Sequence, residues 1–170
     1  LPEMHVHAFT PLEVWQGAHT LGVPVERVRA MNTATDKVPN TSATAASSGA
    51  DLNGQAVRLA CETLRDRLRP IAGKLLGATT AQEAELRFEG NRVWLGDKSV
   101  AFPEVTNAAY FAQVSMSATG FYRTPGIAYD RVAGRGRPFY YFAYGAALTE
   151  VEVSGLTGEH RVIRADILHD

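Results

Sequence analysis

One cysteine in 170 residues, Cys61, excludes an internal disulfide and suits a reducing compartment, so a cytoplasmic location is the expectation. No apolar run approaches the roughly 20 residues needed to cross a bilayer. A net charge of −1 and a pI near 6.6 leave no basic field for nucleic acid or an anionic membrane. The glycines form neither the dinucleotide fingerprint nor the Lys-containing phosphate loop. Metal-ligand clusters are absent too, and His5 and His7 stand without a third ligand at usable spacing. No nucleophile has a base placed beside it in the sequence.

What remains is a chain that is 45% hydrophobic and 21% charged, an ordinary composition for a globular domain. Its length suits one domain, residues 1–170, or a fragment of a larger subunit. The chain starts Leu-Pro-Glu without Met and stops just after a strand-like run, so the expectation is a piece of a longer polypeptide.

Thr10, Pro11 and Glu13 make a helix start, Leu12, Trp15 and His19 trace a stripe along it, and Gly22 with Pro24 ends it. Val25 to Met31 reads as a strand. From about Ala45 a long helix follows, with Leu52, Ala56, Ala60, Leu64 and Leu68 every four residues, ending between 69 and 76 near Pro70 and Gly73. Cys61 flanks that stripe and reads as a buried structural thiol, since no activating cation is evident.

Gly90-Asn91 divides Leu86–Glu89 from Val93–Leu95 as a hairpin, and Phe102 to Gln113 forms a helix opened by Pro103. Val114 to Tyr122 alternates as a strand. Arg123 to Pro138 is a loop whose Arg131, Arg135 and Arg137 are read as solvated by default. Phe139 to Val153, the turn Leu156-Thr-Gly-Glu and Arg161 to Leu168 close the chain as an antiparallel hairpin. The fold class is α+β, a mixed sheet with two or three helices packed on it.

The one stretch with specific chemistry is Asn32 to Gln55, where Ser, Thr, Asn and small residues lead straight into the long helix. Small residues at a helix start leave N–H donors uncovered at the positive end of the dipole, where a phosphate fits. The same residues also make an ordinary helix cap, and the spacing alone leaves both readings open.

A resemblance separates them. Thr35-Asp-Lys-Val-Pro-Asn-Thr-Ser-Ala-Thr-Ala-Ala-Ser47 resembles the pterin-proximal segment of the xanthine dehydrogenase and aldehyde oxidase family, the molybdenum hydroxylases. Three further blocks agree in order: Asp51-Leu-Asn-Gly-Gln-Ala-Val, Val114-Ser-Met-Ser-Ala-Thr-Gly-Phe-Tyr-Arg-Thr-Pro, and Pro138-Phe-Tyr-Tyr-Phe-Ala-Tyr-Gly-Ala-Ala with Glu150-Val-Glu-Val and Leu156-Thr-Gly-Glu-His. The likeness covers roughly residues 20–170 and leans to the xanthine dehydrogenase branch.

The resemblance implies a molybdopterin-binding fold and assigns the pterin's phosphate to Thr44, Ala45, Ala46, Ser47, Gly49 and Ala50, with Met4 as a further cofactor contact. It implies an oxidoreductase hydroxylating purines, xanthine to urate, with 2Fe-2S clusters and FAD on partner domains or subunits. Departures stand beside it. Where the family has Glu-Met-Gly-Gln-Gly, this chain has Glu3-Met4-His5-Val6-His7, and Leu148 replaces a frequent Cys. The family's catalytic glutamate lies beyond residue 170, so no catalytic residue is expected here and the isolated chain should be inactive. A cofactor-free ligand-binding or scaffold domain of the same fold is the competing reading.

Overall fold

The computed structural model describes residues 4–6, 11–31 and 48–169. Contacts group the chain into two units, 1–123 and 124–170.

In the first unit, strand β1 (Met4–Val6) pairs in parallel with β2 (Val28–Ala30), in the register Met4 to Val28. Between them helix α1 spans Pro11–Leu21. The expected strand from Val25 is shortened, because Val25–Arg27 closes a 3-10 turn first. The face of α1 that packs is also not the expected one. Leu12 and Trp15 are half exposed, Trp15 stacking on His19 at 5.0 Å, while Glu13, Gly17, Ala18, Thr20 and Leu21 are buried. Small side chains on that face let α1 lie close to the next helix, which outweighs the larger apolar area of Trp15. At its end Gly22 has φ +65°, and a methyl there would overlap the Phe88 backbone.

Helix α2 (Gly49–Leu76) is the long central element. Its buried positions are Gly54, Cys61, Leu68, Ala72 and Gly73. The seam therefore repeats at 54, 61 and 68: Leu68 of the expected stripe lies on it, Ala56, Ala60 and Leu64 are half-buried, and Leu52 is left exposed. The helix continues through Pro70, which costs about 3 kcal/mol in a helix interior; burial of Leu68 and Ala72 on either side offsets that. Gly77, at φ +71°, stops it, with Ala78 N–H donating to the Gly73 carbonyl at 2.8 Å and Gly77 N–H to Lys74 at 3.3 Å.

Strands β3 (Arg87–Glu89), β4 (Arg92–Leu95) and β5 (Lys98–Ala101) form an antiparallel meander. Gly90 and Asn91, both at φ +61°, make the expected two-residue turn; β5 is an addition to the expected hairpin. Helix α3 (Phe102–Phe111) follows as expected. Leu68, Ala72, Leu86, Val93, Val100, Val105 and Ala109 make the main core between α2, α3 and the meander. Val114 to Tyr122 is no strand: it pairs with no other strand among the described residues. Alternation predicted a strand there, and alternation alone does not supply a partner edge.

The second unit contains two hairpins. β6 (Ala128–Asp130) and β7 (Arg135–Arg137) lie inside the stretch expected to be loop. β8 (Gly145–Val153) pairs antiparallel with β9 (His160–His169), with a bulge at Glu150/Val151. Phe139 to Tyr144 precedes β8 outside any strand, shortening the expected one. One face of β8–β9 carries Ala147 opposite Ile167 and Val151 opposite Val162. The other carries Glu150 opposite Arg164 and Glu152 opposite Arg161. The α+β class holds. Its strands divide among four small sheets, one parallel and three antiparallel, among the described residues.

Candidate functional site

The start of α2 is the structural feature that the anion argument needed. Ser48 occupies the cap position at φ −93°, ψ 0°, and Gly49, Ala50 and Asp51 form the first turn. The Leu52 N–H donates to the Ser48 carbonyl at 3.0 Å, opening the intrahelical ladder. The amides of Gly49, Ala50 and Asp51 precede that ladder, so the helix itself offers them no acceptor. Gly49 brings no Cβ and Ala50 only a methyl, and Ala50 is exposed. A phosphate oxygen can approach these N–H groups at the positive end of a 28-residue helix. Asp51 is the counter-charge in that turn, its Oδ1 buried rather than facing solvent.

Of the other residues assigned to the pterin's phosphate, Thr44, Ala45, Ala46 and Ser47 lie outside the described residues. Met4 is placed on β1, paired with Val28 of β2, on a different element from Gly49 and Ala50. Regular pairing of Met4–Val6 is consistent with a segment that has lost the glycines of the family pattern.

Cys61 is buried, as expected. Burial pushes its thiol up to about 11 against a weaker opposing pull from Arg65, with Glu62 adding to the rise. At neutral pH it is a protonated core side chain and no nucleophile. Arg58 bonds Gln55 at 2.8 Å and Glu62 at 3.0 Å, and Arg69 lies 3.4 Å from Asp66. These are partly exposed helix-surface pairs of small energetic weight.

Arg135 and Arg137 sit two residues apart on β7, with Arg131 in the turn before it. Asp130 organises that turn. Its carboxylate accepts from the Val132 and Ala133 amides at 2.8 and 3.0 Å, which holds it below its ordinary pKa. Leu148, the residue standing where the family pattern often has Cys, is exposed on β8. Among the described residues no group of three or more His, Cys, Asp or Glu could hold a metal ion, and no helix is long and apolar enough to cross a membrane.

Sequence reasoning missed the arginines that bind α2 to its surroundings. Arg67 Nη1 donates to the carbonyls of Ser115 at 3.1 Å and Ser117 at 2.8 Å, and Arg69 Nη1 to those of Glu83 at 2.9 Å and Leu86 at 3.1 Å. The three-residue spacing of Arg69 from Asp66 pointed only to a surface pair, and Arg67 has no acid three or four residues away on the helix. No local signal marks a carbonyl 50 residues away as the partner.

Comparison with known proteins gives the family. Residues 16–170 match the family model of the molybdopterin cofactor-binding domain. Xanthine dehydrogenase/oxidase of Rattus norvegicus is 41% identical over 167 residues, and xanthine dehydrogenase of Calliphora vicina 44% over 169. These alignments cover 93% and 94% of this chain but only 11% of either relative, so the chain spans about a tenth of their length. The fold is similar to that in quinoline 2-oxidoreductase from Pseudomonas putida 86, at TM-score 0.72 and 22% identity over 97% of this chain and 21% of that one. It is similar also to that of the Cu,Mo-CO dehydrogenase, at TM-score 0.74 and 18% identity over 97% and 20%. With its match to the family model and its close relatives, the chain belongs to the molybdopterin cofactor-binding domains of the xanthine dehydrogenase family.

Proposed function

We propose that this chain holds the phosphate tail of molybdopterin at the start of α2, as the cofactor-binding piece of a xanthine dehydrogenase-like oxidoreductase acting on purines such as xanthine. The observation carrying this reading is the set of first-turn amides, Gly49 to Asp51, ahead of the Leu52–Ser48 bond and lined by residues with little or no side chain. Gly49 and Ala50 donate through N–H groups. Thr44 to Ser47 add amides and hydroxyls on the strength of the sequence likeness, and Met4 is the remaining contact. Two or three charge-assisted bonds to one phosphate give affinity and orientation without any chemistry on the phosphate itself.

When bound, the molybdenum centre supplies a two-electron oxidation that places oxygen on an electron-poor C–H carbon. This chain's part is to position it. The isolated chain is expected to be inactive, and catalysis to need other parts of a larger assembly carrying 2Fe-2S clusters and FAD. A cytoplasmic setting accords with the single buried thiol.

The test uses Ala50→Asp. A carboxylate in the first turn favours the helix dipole but repels a phosphate. Protein from a cofactor-producing host should carry molybdopterin in the wild type, and the variant should lose at least tenfold of it while the apo form melts no lower. Equal pterin content in both would overturn the assignment.

A second reading has one observation behind it. Met4–Val6 is engaged in regular pairing with Val28–Ala30, where the family pattern has glycine-flanked amides held for the pterin. A scaffold domain that kept the fold and lost the cofactor would show this. Wild-type protein emptied of pterin in the same host supports that reading.

A further inference from the structure

Arg65, Arg67 and Arg69 alternate along α2, and each reaches a backbone carbonyl on a different segment. Arg65 Nη1 donates to Thr20 at the end of α1 at 3.4 Å, and Arg69 Nη1 to Glu83 and Leu86. Arg67 Nη1 donates to the Ser115 and Ser117 carbonyls and lies 3.4 Å from the Ser115 Oγ. Ser115 and Ser117 belong to the stretch 114–122, which no strand pairs among the described residues. The guanidinium therefore supplies what a sheet neighbour would have supplied.

Further along the same stretch, Gly120 lies against α2 so closely that a methyl would overlap the Ala56 carbonyl and stand 3.0 Å from the Ala60 nitrogen. The stretch thus meets α2 twice, through Arg67 and at Ala56–Ala60. Ala56 is seven residues past Gly49, about 10 Å along the helix. The second meeting point braces α2 within two turns of its start.

Binding groups must be held within about 0.5 Å of their working geometry to keep their strength. We propose that Arg67 and Gly120 are positioning residues for the cofactor tail: Arg67 anchors Ser115 and Ser117, Gly120 seats the stretch on Ala56, and the pair fixes where the first turns of α2 lie. Neither touches the phosphate. The role rests on the reading above that the phosphate sits at Gly49 and Ala50. Arg69 is the internal comparison, because it makes bonds of the same kind to Glu83 and Leu86, on segments that do not run along the first turns of α2.

The experiment titrates the full 170-residue apo-protein with isolated molybdopterin, followed by pterin fluorescence, and records the apo melting temperature. R67A and G120A should weaken binding tenfold or more beyond R69A at comparable loss of melting temperature. R67K should recover most of it. Affinity within twofold of wild type in both variants overturns the role. So does a loss that follows melting temperature alike in R67A, G120A and R69A. Wild-type protein that binds no molybdopterin overturns the phosphate reading and this role together, whereas wild-type binding with unaffected variants overturns this role alone.

Discussion

Arg69 of α2 donates from Nη1 to the carbonyl of Leu86, 17 residues on, at 3.1 Å, and the same nitrogen reaches Glu83 at 2.9 Å. Leu86 is buried and opens the meander, so one side chain ties the central helix to the sheet it packs on. Its guanidinium also lies 5.7 Å from the Phe88 ring. Hydrogen bonds involving a charged group contribute about 1.5–3 kcal/mol each, with their carbonyls otherwise left to solvent. Arg69→Ala should lower unfolding free energy by about 2 kcal/mol in urea titration, and Arg69→Lys by less. A loss under 0.5 kcal/mol would mean the bonds are solvent-replaceable.

Gly22 answers to two constraints at one position. Its φ of +65° disfavours any residue with a Cβ, and that Cβ would overlap the Phe88 backbone. The Gly22 carbonyl also accepts from Asn91 N–H at 2.7 Å, locking the end of α1 to the β3–β4 turn. Gly22→Ala should cost about 1–3 kcal/mol, the scale of a strained backbone position. Gly77, also at positive φ but with open space around it, isolates the conformational part. Gly77→Ala should cost less than Gly22→Ala, by thermal melts of both.

Cys61 gives a pH dependence whose sign is fixed by burial. Its folded pKa, raised from 9.0 to about 11, exceeds the unfolded value, so the folded protein keeps its proton longer. The contribution is complete below pH 9 and is lost as pH rises from 9 towards 11, on the order of 2 kcal/mol at the end of that window. Stability curves of wild type and Cys61→Ala should converge there. At pH 8 a thiol reagent should label the native protein far more slowly than the urea-unfolded one.

Asp130 gives the opposite sign on the β6–β7 turn. Its carboxylate is held low by the Ala133 and Val132 amides, so the turn gains from it above the ordinary carboxylate range and loses that gain as pH falls below it. Amide exchange at Val132 and Ala133 should accelerate on acidification, relative to the general exchange trend, and should do so at all pH values in Asp130→Ala. Identical exchange in the variant would show that the turn needs no side-chain support.

The three helices and most turns follow from local rules. Pro11 and Pro103 start helices, Gly77 stops one, and Gly90-Asn91 makes a turn because both residues tolerate positive φ. Periodicity found the helices and, in Leu68, Val105 and Ala109, buried positions on α2 and α3, but it misjudged the face of α1. Trp15 is more apolar than Gly17 or Ala18, yet only the small residues permit a close helix approach. The same competition draws the α2 seam through Gly54 and Cys61 to the expected Leu68. Alternation likewise marked Val114–Tyr122 as a strand, since alternation describes side chains and says nothing of a partner edge.

The sequence by itself determined the class of fold, a helix start rich in small residues, and through its ordered blocks the cofactor family. Those properties are local: backbone dihedrals, small side chains and the run of residues around Gly49. Only the tertiary structure decided what braces that helix. Arg67 meets Ser117 across 50 residues and Gly120 meets Ala56 across 64, and contacts of that span leave no periodic trace in the chain.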